Sequence, residues 1–221
     1  QFAEDGLNRI WIATTHGLIR YERDKNESRV FVHDKNDPGS LSNDNISALY
    51  TDKKGRLWIT TWGGGLNLLL DNEKGVFQQI QMNLENENSE SIRYLKSFSH
   101  NDDPEIWISG KVGITRFNTD KQTSQSYSFE DPFIPVQIFN DQKNGFWLWA
   151  QDSYRIVKFL PSQKKLIDVN YDPYLCTDAV QDRSGSIWLG SVFNFAYRVD
   201  LQKPRFRLYY NQRLNRSLFE D

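Results

Sequence analysis

Five acidic or amide side chains sit at one fixed distance from a tryptophan. Asp5, Asp52, Asn101, Asp141 and Asp182 each lie six residues before Trp11, Trp58, Trp107, Trp147 or Trp188. Two chemistries suit such a set. A side-chain oxygen at a tight turn accepts from backbone amides a few residues on, and carboxylates gathered by a fold can share a cation. The turn formers that follow each one, such as Lys53-Lys54-Gly55 and Arg183-Ser184-Gly185, favour the turn cap. The three histidines, His16, His33 and His100, fall in different parts of the chain, and no His, Cys and carboxylate cluster has zinc-ligand spacing, so no metal site is expected. Nothing resembles a nucleophile elbow, a phosphate loop or an HExxH helix, so no catalytic residue and no cofactor is expected. An acid pair for glycoside hydrolysis stays open, since any two of the 29 Asp and Glu residues could meet in the fold.

A second set of residues suits recognition. His16, Trp62, Lys111, Asp152, Phe193 and Asn194 fall at one class of turn, and His33, Asp34, Tyr171 and Tyr174 fall in linkers. Aromatic rings among Asn, Asp and Lys stack on sugar rings and hydrogen-bond their hydroxyls, and ligand sites often lie on such loops. Trp62 leads this set, because Gly63, Gly64 and Gly65 beside it would leave its indole unscreened. Trp149 stands where other repeats have Ala13, Thr60, Ser109 and Gly190, and reads as a filler between elements.

The elements that must position these side chains come from one phrase repeated five times. It reads Asn8-Arg9-Ile10-Trp11-Ile12, Gly55-Arg56-Leu57-Trp58-Ile59, Pro104-Glu105-Ile106-Trp107-Ile108, Asn144-Gly145-Phe146-Trp147-Leu148 and Gly185-Ser186-Ile187-Trp188-Leu189. The tryptophans are 47, 49, 40 and 41 residues apart, a period that marks a repeat architecture. An apolar residue flanks each tryptophan on both sides, and strand side chains alternate between faces, so these strands are buried on both faces. Their short length, aromatic and β-branched content and flanking turn residues favour strand over helix.

Around each core strand come an upstream strand ending in Asp, a third strand opened by Gly17-Leu18, Gly65-Leu66 or Gly113-Ile114, and a fourth strand. The third carries a basic residue and then an apolar one, as in Arg20-Tyr21, Arg116-Phe117, Lys158-Phe159 and Arg198-Val199. Four short strands per period, repeated with a tryptophan signature, describe a β-propeller blade. The expected fold is therefore all-β, a propeller of about five four-stranded blades, with periods at about 1–44, 45–90, 91–130, 131–172 and 173–221. A β-sandwich is the rival, but it gives no reason to repeat one phrase. The two ends of the sequence resemble each other, and the expectation is a segment of a larger propeller protein.

Composition narrows the partners. A net charge of −2 gives no electrostatic case for nucleic acid or an anionic membrane. No run approaches 18 apolar residues. The single cysteine, Cys176, excludes an intrachain disulfide and is expected to be a small, buried or half-buried residue. The run Lys203 to Arg207 reads as a charged edge strand.

Three phrases, Gly55-Arg56-Leu57-Trp58-Ile59-Thr60-Thr61, Gly17-Leu18-Ile19-Arg20-Tyr21 and Ser40-Leu41-Ser42-Asn43-Asp44-Asn45-Ile46, resemble the two-component regulator propeller repeat. The likeness weakens in the last two periods, where Ser153-Tyr154 and Asn194-Phe195 replace Gly-Leu. The resemblance implies the periplasmic sensor region of a hybrid two-component system in an inner-membrane protein of Bacteroidetes. It implies binding of an oligosaccharide or other small ligand, and a histidine kinase elsewhere in the full-length protein. A homodimer is a possible partner arrangement, and the membrane is met only through the rest of the full-length chain. Two alternatives remain: a protein-interaction or dimerisation scaffold, and a propeller similar to the streptogramin lyases.

Overall fold

The computed structural model describes residues 1–80, 82, 98–100, 104–110, 113–129, 137–140, 145–150, 155–168, 176–182, 184–191, 195–200 and 205–210. Among the described residues, twenty strands form five four-stranded sheets. The first holds β1 (Phe2–Glu4), β2 (Arg9–Thr14), β3 (Gly17–Glu22) and β4 (Glu27–Phe31). The second holds β5 (Ile46–Thr51), β6 (Leu57–Thr61), β7 (Gly65–Asp71) and β8 (Val76–Ile80), and the third β9 (Phe98–His100), β10 (Glu105–Gly110), β11 (Gly113–Asn118) and β12 (Thr123–Ser128). The fourth holds β13 (Gln137–Asn140), β14 (Phe146–Ala150), β15 (Arg155–Leu160) and β16 (Lys165–Asp168). The fifth holds β17 (Cys176–Gln181), β18 (Ile187–Ser191), β19 (Phe195–Asp200) and β20 (Arg205–Tyr210). In every sheet the strands lie side by side in chain order, the meander of a propeller blade. Pro161–Gln163 adds one turn of 3₁₀ helix between β15 and β16.

The chain divides into two compact units, Gln1–Ile138 and Phe139–Asp221. In the first unit β5 lies against both β1 and β9, so the first strands of the three sheets come together. Gln1 fastens one such contact: its side-chain amide donates to the Leu49 carbonyl (3.4 Å) and accepts from the Leu49 amide (3.2 Å). The last strands lie outside, and most of β4 and β12 is exposed.

Face-to-face stacking makes the core. Trp11, Leu18 and Phe31 of the first sheet pack on Leu49, Leu57, Ile59 and Phe77 of the second. Trp58, Leu66 and Leu68 of the second pack with Ile106, Ile108 and Phe117 of the third. The core strand is thus apolar on both sides because each face meets a different neighbour. Ring geometry fixes the fit: Phe31 meets Phe77 edge-on at 5.9 Å, and Trp58 meets Phe117 edge-on at 5.5 Å. In the second unit Phe146, Trp147, Leu148 and Trp149 are all buried on β14, and Ile187 and Leu189 on β18.

The glycine that opens the third strand has a steric cause. Gly17 (φ +114°) and Gly113 (φ +153°) lie in the left-handed region and against the fourth strand, where a Cβ would stand 2.5 Å from the Phe31 oxygen or 1.9 Å from the Tyr127 oxygen.

Candidate ligand-binding face

Antiparallel connection places the first-to-second and third-to-fourth turns at one end of each sheet. The second-to-third turns and the linkers between sheets lie at the other. The two ends do different things.

At the first end the repeated aspartates are clamps. Asp52 Oδ1 accepts from the backbone amides of Lys54 (2.9 Å) and Arg56 (2.9 Å). Its Oδ2 accepts from Arg56 Nε (2.6 Å) and from the buried Trp58 indole Nε1 (3.0 Å). Asp5 repeats every contact, with Leu7, Arg9 and the Trp11 indole at 2.9 Å. Asp182 holds the Ser184 and Ser186 amides and the Trp188 indole at 2.8 Å. The turn needs a left-handed residue three before the tryptophan, supplied by Asn8 (φ 59°), Gly55 (φ 75°) or Gly185 (φ 84°). The expected turn cap is present, and it does a second job that sequence reasoning missed: it satisfies an indole N–H in the core. The fixed spacing of six was the signal. Asn101 and Asp141, the remaining two, lie outside the described residues.

Burial pushes the Asp5 and Asp52 carboxyls up. The indole, amide and guanidinium donors around each outweigh it, and both end below the ordinary value of 3.8. Asp182, held by the Ser184 hydroxyl and the Trp188 indole, falls to about 2. Each of these carboxylates holds its turn and its indole, and no group of three or more metal-ligating side chains occurs among the described residues.

The other end carries the recognition candidates. The linker 32–45 crosses from the first sheet to the second and is tied at several points. Asp44 accepts the Gly17 amide on its carbonyl (2.8 Å) and the His33 amide on its carboxylate (2.6 Å). His33 Nδ1 donates to the Leu41 carbonyl (2.6 Å), and Leu41 itself is fully buried between the sheets. Ser42 is gripped by the buried Asn67, whose Oδ1 accepts the Ser42 amide (3.0 Å) and whose Nδ2 donates to Ser42 Oγ (2.8 Å). Gly64 is required there, since a Cβ would lie 2.4 Å from Ser42 Oγ.

Two candidates sit in turns that this linker holds. His16 is exposed in the β2–β3 turn beside Gly17, and its ring Nδ1 bonds Thr15 Oγ1 (2.9 Å). Trp62 is half-buried in the β6–β7 turn, and its backbone amide donates to the Asn45 carbonyl (2.8 Å). Consecutive linker residues, Asp44 and Asn45, thus hold the two turns. His33 and Asp34 are exposed but serve the linker, with the Asp34 amide bonded to Ser40 Oγ (2.9 Å). Lys111, Asp152, Phe193 and Asn194 lie outside the described residues, as do Tyr171, Tyr174 and the Cys176 side chain. Trp149 is buried at 2% exposure.

Residues 40–63, from the linker through β5 and β6 to the Trp62 turn, match the family described as the two component regulator propeller. The match covers one repeat of the five. The matched stretch contains the buried Leu41, the Asp52–Trp58 clamp and Trp62. No curated protein matches the sequence. Solved structures match the propeller fold across nearly the whole chain. Two structures of the extracellular domain of BT4673 from B. thetaiotaomicron, described as a one component system in one and a hybrid two component system in the other, give TM-scores of 0.79 and 0.77, each at 18% identity. They cover 95% and 97% of this chain and 30% and 31% of those. The extracellular domain of BT3049 from the same organism, described as a hybrid two component system, gives 0.71 at 19% identity, with 98% of this chain and 29% of that one covered. Virginiamycin B lyase from Staphylococcus aureus gives 0.73 at 13% identity, covering 97% and 70%. The chain spans about 30% of the BT4673 domain.

Proposed function

We propose that this chain is an extracytoplasmic, ligand-sensing propeller segment of a hybrid two-component sensor, and that its ligand is an oligosaccharide. The observation that carries the reading is the regulator-propeller match at residues 40–63, within a fold similar to extracellular domains described as parts of such systems. No helix among the described residues is long and apolar enough to cross a membrane. The kinase would lie elsewhere in the full-length protein.

The ligand would sit on the turn-and-linker end, with Trp62 as the stacking platform and His16 beside it; Lys111, Asp152, Phe193 and Asn194 are the further candidates of that set. Binding acts through differential affinity for two states of the sensor. The linker suits this role: it ties the turns of two sheets together, so a ligand bridging His16 and Trp62 would bias how those sheets are held. The lyase likeness supports the fold alone at 13% identity.

A thermal-shift screen with plant, host and microbial oligosaccharides tests this. A sugar that raises the melting temperature, with the effect lost in Trp62→Ala, supports the reading. A sugar whose effect survives both Trp62→Ala and His16→Ala moves the site elsewhere, and failure of every sugar counts against carbohydrate sensing.

A further inference from the structure

Three guanidiniums of the first sheet converge on one turn of the second. Arg20 on β3 and Arg29 on β4 stand directly opposite each other, in one row with Trp11 of β2. Arg9, two residues before Trp11, lies on the same face. Like charges set directly opposite destabilise a sheet, so this row calls for an anion. Arg9 Nη1 lies 3.4 Å and Arg20 Nη1 3.3 Å from the Glu73 carboxylate in the β7–β8 turn. Arg29 donates to the Glu73 and Lys74 carbonyls of that turn. Stacking does not need this row. In the second sheet the places of Arg20 and Arg29 are taken by Leu68 and Gln78, and Trp58 is fully buried all the same.

Carboxylates are in short supply at this turn. Asp5 holds Arg9 (2.8 Å), and Glu22 is shared by Arg20 (2.6 Å) and Lys25 (2.7 Å). Arg29 makes no ion pair among the described residues. Four cations thus have two fixed carboxylates at ion-pair distance, and Glu73 is the third. Glu73 fills its place poorly. Its contacts with the guanidiniums are 3.3 to 3.4 Å long, and its side chain is 68% exposed. Arg20, itself 6% exposed, keeps an Nε that has no hydrogen-bond partner. The Phe31 ring steadies two of the guanidiniums, with Arg20 Cζ at 5.9 Å and Arg29 Cζ at 4.9 Å from its centre. The turn keeps its shape without the Glu73 carboxylate. Asp71 Oδ1 accepts the Glu73 and Lys74 amides (2.9 Å each), and the Asp71 carbonyl accepts the amide of the left-handed Gly75 (2.9 Å).

We propose that Arg9, Arg20 and Arg29 form a binding site for a dianionic oxyanion, a sulfate or phosphate group, and that Glu73 is the built-in competitor it displaces. Guanidinium forks donate paired N–H groups to such a group. Its three or four oxygens serve three forks, where a carboxylate offers two. The second negative charge matches the cation that Glu73 leaves without a carboxylate. Displacement costs little, because Glu73 is exposed, its ion pairs are long and Asp71 holds the turn. A free ion and a sulfate or phosphate ester on a sugar offer the same chemistry. The site lies at the clamp end of the first two sheets, opposite His16 and Trp62, and does not rest on the oligosaccharide reading.

The test is isothermal titration calorimetry with sodium sulfate, sodium phosphate and glucose 6-sulfate, at an ionic strength held constant with sodium chloride. Saturable binding is expected, tighter by about fivefold in Glu73→Gln, which removes the competing charge. Arg29→Gln, at an exposed position outside the core, is expected to weaken binding about tenfold or more in either background. Glucose 6-sulfate binding more tightly than inorganic sulfate assigns the site to an ester, and the reverse order to the free ion; either supports it. No saturable binding in Glu73→Gln overturns the site. Binding that survives Arg29→Gln puts the anion elsewhere and overturns it too. Equal affinity in the wild type and Glu73→Gln overturns the competitor role.

Discussion

The joint between the first and second sheets and the joint between the second and third solve one problem with different charges. Both rest on a tryptophan clamped by an aspartate, and in both an arginine two residues before the indole lies over the ring, Arg9 at 5.9 Å and Arg56 at 5.4 Å. In the first joint Arg20 and Arg29, directly opposite each other in the sheet, add donors to the Asn72, Glu73 and Lys74 turn. In the second joint those positions are Leu68 and Gln78, and the contact is made by Lys54 and Arg56 on Thr119 and Asp120. The apolar clamp is common to both, and the charged rim is free to change. The third repeat goes further: Glu105 takes the arginine's place and binds Arg116 in its own sheet (2.7 Å).

If the clamp carries the joint, the largest losses come from breaking it. Trp58→Ala, at a fully buried indole, is expected to cost about 4 kcal/mol in chemical denaturation. Trp188→Ala, at a half-buried one, should cost about half of that. Asp52→Ala strands the indole and guanidinium donors together and should cost about 3 kcal/mol. Equal losses from the two tryptophan changes would break the comparison.

Acid sharpens it, because the clamps share one titration. Asp5, Asp52 and Asp182 have folded pKa values below their unfolded 3.8. Their stabilisation is therefore fully present above pH ~4 and is lost as pH falls toward ~2. Denaturation midpoints measured across that window should fall steeply in the wild type and less in Asp52→Asn. The rim should show the smallest effects. Glu73→Gln, at a side chain 68% exposed, should change stability by less than about 1 kcal/mol. The Lys54–Asp120 pair should weaken in high salt while the aspartate–indole bonds hold. A rim change costing as much as Asp52→Ala would reverse the ranking.

The blades were legible from the sequence because tryptophan spacing, turn residues and Gly-Leu openings all arise from local geometry. The fourth strand of the first sheet spans Glu27–Phe31, and beyond it His33 bonds Asp44 and Leu41. The indole bond of Asp5 and Asp52 was hidden. A turn cap and a core acceptor need the same residue type, and only the fixed distance to the tryptophan separates them. The unequal burial of matching positions was also illegible: Ile10 and Ile12, half-buried, read like the buried Leu57 and Ile59. At the candidate site, sequence reasoning placed His16 and Trp62 at the right class of turn. It did not foresee that Asp44 and Asn45 would hold both turns, since those bonds are made by linker backbone.

The repeated carboxylate exists to hold the indole. A double-mutant cycle on Asp52→Ala and Trp58→Phe, read by chemical denaturation, tests it directly. A coupling of about 1 to 2 kcal/mol is expected, because either change removes the same bond. Losses that simply add, within about 0.3 kcal/mol, would contradict it and return Asp52 to the role of a turn cap alone.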